Sequence, residues 1–60
     1  MIPTTVKARL ETAYNDFRTA RTIIDQENAR HYIIGILGTL YDTNQITYEE
    51  KETAYQRIYQ

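Results

Sequence analysis

Residues 5–24 read TVKARLETAYNDFRTARTII, and the spacing of their apolar side chains decides the fold class. Val6, Leu10, Ala13, Phe17, Ala20 and Ile24 recur at steps of 4, 3, 4, 3 and 4, the a/d alternation of a heptad. At about 100° per residue these six fall within an arc of roughly 80°. A strand would divide them between two faces, so a helix is expected over about residues 5–24. It opens after Pro3, with Thr4 or Thr5 as its cap. A stripe this regular is also how one helix seats on another. Val6, Leu10, Phe17 and Ile24 are therefore candidate residues of an oligomer interface.

Downstream, Asp25-Gln26-Glu27-Asn28 is wholly polar and is read as the break before a second helix over about residues 28–42. Ala29, Ile33, Ile36, Leu37 and Leu40 share one face of that helix. The opposite face carries His31, Gly35, Gly38 and Asp42, again spaced 4, 3 and 4. Each glycine inside a helix costs about 1 kcal/mol relative to alanine. A reason to keep two of them is close approach by another chain, so these four residues are read as a partner-binding surface. Thr43-Asn44-Gln45 is a turn, and Thr47-Tyr48-Glu49-Glu50 fits a capping box that opens a third helix over about residues 48–59. Tyr48, Tyr55 and Tyr59 lie along one side of it, and tyrosine, apolar with a polar tip, suits an interface. The expected architecture is all-α: one domain over residues 1–60, a three-helix unit stabilised by oligomerisation, with a dimer favoured.

The segment from Leu37 to Tyr59 resembles the short hairpin modules called SHOCT domains, small oligomerising or interaction units of bacterial and phage proteins. The resemblance rests on Leu40, Ile46, Thr47, Glu49 and Glu50 and covers about two fifths of the chain. Asn44-Gln45 stands where those hairpins carry a glycine. It is a likeness of one hairpin and assigns no family.

Composition narrows the function. The chain has 60 residues, no cysteine, no serine and one histidine. A disulfide scaffold and a thiolate metal site are impossible, and nucleophilic catalysis has little to work with. An enzyme is not expected, nor a cofactor. Glu27 and His31 are four apart, but a metal site needs three or four ligands. Glu49, Glu50 and Glu52 are explained by the positive end of the third helix. Seven Lys+Arg against eight Asp+Glu leave a formal charge of −1, which disfavours a dedicated nucleic-acid binder. The alternative of a small DNA-binding regulator rests on Lys7, Arg18 and Arg21, which share the basic side of the first helix. The longest apolar run, Tyr32 to Tyr41, is too short to span a bilayer. The expectation is a cytoplasmic adaptor, inhibitor or regulatory accessory protein, of the kind phage and mobile elements encode, that occupies the surface of a protein partner.

Overall fold

A computed structural model describes residues 2–59 and contains three α-helices: α1 (Thr4–Thr19), α2 (Ile23–Asp42) and α3 (Tyr48–Gln56). No strand occurs among the described residues, and the all-α three-helix architecture read from the sequence is the one observed. No described helix is long and apolar enough to cross a membrane.

The first boundary differs from the expectation. The break falls at Ala20–Thr22, and the polar run Asp25–Asn28 is the beginning of α2. Its cause is a cap. Thr22 takes an extended conformation (φ −126°, ψ 158°) and its hydroxyl accepts the Asp25 amide hydrogen at 3.0 Å. That satisfies one of the orphan donors of the first turn, and the Asp25 carboxylate complements the positive end of the helix. The heptad stripe consequently stops at Phe17: Ala20 caps α1, and Ile24 belongs to α2, where it is 73% exposed.

The connection after α2 is a Schellman turn. Asn44 adopts the left-handed conformation (φ 60°), its N–H donates to the Tyr41 carbonyl at 3.1 Å, and the Gln45 N–H donates to the Leu40 carbonyl at 2.8 Å. Ile46 then drops into the core. The Thr47 capping box is complete: its hydroxyl accepts from the Glu50 amide at 3.1 Å, and the Glu50 carboxylate accepts from the Thr47 amide at 2.8 Å. The third helix ends at Gln56 and not at residue 59. The backbone tightens there, the Arg57 and Ile58 amides donating three residues back, to Ala54 and Tyr55. This turn sends the Ile58 side chain inward, where it is fully buried.

The core comprises Leu10, Ala13, Tyr14, Ile33, Leu37, Leu40, Ile46 and Ile58, with Val6 and Phe17 packed on its edge. The apolar stripe of α1 is thus spent chiefly within the chain, on α2. Arg30 ties the far end of the chain to this core. Its Nε donates to the Ile58 carbonyl at 3.0 Å, it pairs with Glu27, and its guanidinium lies 5.4 Å from the Phe17 ring centre and 5.2 Å from that of Tyr59. The Cα atoms span 33 × 22 × 13 Å. α2 occupies the middle, with α1 and α3 packed on it, and Arg57 at the end of α3 reaches Tyr14 of α1.

Candidate functional site

The outward face of α2 is covered by neither of its neighbours. Asn28, His31, Gly35 and Asp42 are exposed along it, Ile24 extends the line toward the helix start, and Gly38 is half-buried. A Cβ built on Gly35 or on Gly38 would meet nothing within 4 Å. Neither glycine is required by packing inside the chain, and neither has a positive φ that would demand it.

Beside this face α1 and α2 leave an open groove of about 500 Å³. Val6, Tyr32, Ile36 and Gly35 line it, and Arg9 and His31 stand among its polar residues. Tyr32 is 51% exposed and also borders a more polar hollow of about 560 Å³ nearer the α1–α2 link, among Asp16, Arg21 and Asp25. His31 has one charged neighbour, the Glu27 carboxylate at 3.8 Å, beyond hydrogen-bond length. Among the described residues no three His, Cys, Asp or Glu side chains gather as metal ligands.

The three tyrosines assigned to one binding face divide into two clusters. Tyr48 stacks edge-on against Tyr41, ring centres 6.1 Å apart, while Tyr55 meets Tyr59 at 6.4 Å. The Lys51 ammonium sits 4.2 Å from the Tyr41 ring centre, 5.2 Å from that of Tyr48 and 5.8 Å from that of Tyr55. Tyr48 and Tyr59 remain exposed, at 57% and 61%. Arg57 completes the pattern, lying 3.8 Å from the Tyr14 ring centre. Burial of Tyr14 raises its hydroxyl pKa above the usual value, an effect that Arg57 opposes. Lys51 lies three residues from Tyr48 and four from Tyr55, a spacing legible in the sequence, whereas its contact with Tyr41 and the stacks of Arg30 and Arg57 join different elements and escape such a reading.

Of the residues proposed for an oligomer interface, Leu10 is buried, Val6 and Phe17 are partly buried against α2, and Ile24 stands apart on the next helix. The basic residues are also dispersed. Lys7 and Arg18 lie eleven residues apart, about 16 Å along α1. Arg18 donates to the Asn15 side chain at 2.8 Å, and Arg21 borders the same hollow as Asp16 and Asp25.

The chain matches no protein-family model, no curated protein and no solved structure.

Proposed function

We propose that this chain is a small protein–protein interaction module, an adaptor, inhibitor or regulatory accessory protein, that works by seating the outward face of α2 and its groove against a partner. The observation that carries this reading is the pair of glycines: they lie on an uncovered helix face and nothing in their own chain needs them. A helix interior retains such residues at a stability cost, and close approach of a second surface supplies the reason. The half-exposed Tyr32 beside them offers the aromatic area on which interfaces depend.

The test is a double substitution, Gly35→Leu with Gly38→Leu, in tagged protein used to capture partners from the native host. The leucines have room, so the helical circular-dichroism signal should survive while capture of a protein partner is lost. Undiminished capture would remove α2 from the binding surface. Capture that vanishes with nuclease, falls steeply with salt and is lost on changing Lys7, Arg18 and Arg21 to alanine would establish nucleic acid as the partner instead.

A further inference from the structure

Arg18 on α1 and Arg57, just past the end of α3, face a common hollow of about 410 Å³. Glu11, Tyr14, Asn15 and Phe17 complete its lining, and α2 contributes nothing to it. Both guanidiniums are positioned before any ligand arrives. Arg18 donates to the Asn15 side chain at 2.8 Å, and the central carbon of Arg57 lies 3.8 Å from the Tyr14 ring centre. A guanidinium stacked by its face keeps its N–H edge open for a bidentate partner. Neither arginine is paired with a carboxylate among the described residues, although Glu11 lines the same hollow.

The donors decide what such a hollow recognises. Two planar forks and a phenol offer more N–H and O–H groups than the two oxygens of a carboxylate accept, whereas the three terminal oxygens of a phosphate monoester match them. Burial raises the Tyr14 pKa and the Arg57 charge opposes that rise, so the phenol stays protonated at neutral pH and is able to donate. The sign of the charge agrees: two arginines against Glu11 leave the hollow positive in a chain of formal charge −1. The space exceeds what a phosphate alone fills, and the Tyr14 and Phe17 rings give the rest an aromatic wall. We infer that the hollow between α1 and the end of α3 binds a phosphate monoester carried on an aromatic body, with Arg18 and Arg57 as the two arms of a clamp. This site shares no lining residue with the α2 face and its groove, so either stands without the other.

Phenyl phosphate titrated into nitrogen-15-labelled protein at constant ionic strength is the test. The Asn15 side-chain amide and the Nε–H signals of Arg18 and Arg57 should shift and saturate. Arg18→Gln and Arg57→Gln should each weaken binding about tenfold. Arg57→Lys keeps the charge but loses the fork, and should weaken it nearly as much. Arg21→Gln removes the same charge outside the hollow and should leave the affinity within about twofold. Circular dichroism of each variant separates lost binding from lost structure. If Arg57→Gln loses its helical signal, Arg18→Gln carries the test, since among the described residues Arg18 is exposed and hydrogen-bonded to Asn15 alone. Benzoate binding as tightly as phenyl phosphate, an equal loss in Arg21→Gln, or no saturation by about 10 mM ligand overturns the site. A capped phosphotyrosine peptide that binds tighter than phenyl phosphate assigns the group to a modified protein, and equal binding assigns it to a small molecule; both outcomes support the clamp.

Discussion

Asn44 is the one non-glycine residue with positive φ in the described chain, and the turn from α2 to α3 depends on it. Asparagine tolerates the left-handed region better than residues with a larger or branched Cβ substituent, through its short polar side chain. Asn44→Ala should cost about 1 kcal/mol and Asn44→Gly nothing or slightly less than nothing, measured by urea denaturation. An alanine without cost would show that the turn does not constrain the hairpin. Glu50 carries a second prediction. Hydrogen bonds from Thr47 to its carboxylate hold its pKa below the ordinary glutamate value. A carboxyl whose folded pKa is depressed adds stability above its unfolded pKa, and that stability is lost as pH falls through the folded one. The thermal midpoint should therefore fall on acidification below about pH 4. It should fall less in Glu50→Gln, which has no charge to lose. An identical fall in both would remove the capping carboxylate as a cause.

Among the elements, α2 carries both the core and the open face, and the two are separable by substitution. Gly35→Ala and Gly38→Ala should each stabilise the isolated chain by about 0.5–1 kcal/mol, since the new Cβ atoms meet nothing and alanine favours the helix. A loss of stability in dilute solution would mean that a contact within the chain had been disturbed. The helix ends show what was legible in the sequence. The capping box at Thr47 could be read because its signal lies within four consecutive residues. The Thr22 cap has the same logic, but the polar residues after it looked like an interruption, and Ile24 continued the heptad of α1 in register. Local periodicity ran on across a real break. The end of α3 was hidden for another reason: the carbonyl of Ile58, just past it, is bound by Arg30 from twenty-eight residues earlier. The open glycine face could be anticipated from spacing, whereas the division of the tyrosines around Lys51 and Arg30 required the fold.

At the scale of the molecule, the core rests on eight buried side chains among the described residues. A domain of this length has only about 3–9 kcal/mol of stability in total. Ile33→Ala removes a fully buried side chain from the centre and should cost about 2–5 kcal/mol, enough to leave a large fraction unfolded near 37 °C. A melt that shifts by only a degree or two would contradict the core described for α2.

The three-residue link Ala20–Thr22 has a practical consequence. Arg21 is exposed there, and the residues on either side of it have extended backbone rather than helix. Arg30 and Lys51, by contrast, lie within helices with their cations stacked on rings. Trypsin in trace amounts should thus nick first after Arg21, dividing the polypeptide into α1 and an α2–α3 piece. Since the core between those pieces is largely a matter of apolar contact, they should remain together after cleavage, and a synthetic α1 peptide should be able to exchange into the nicked protein.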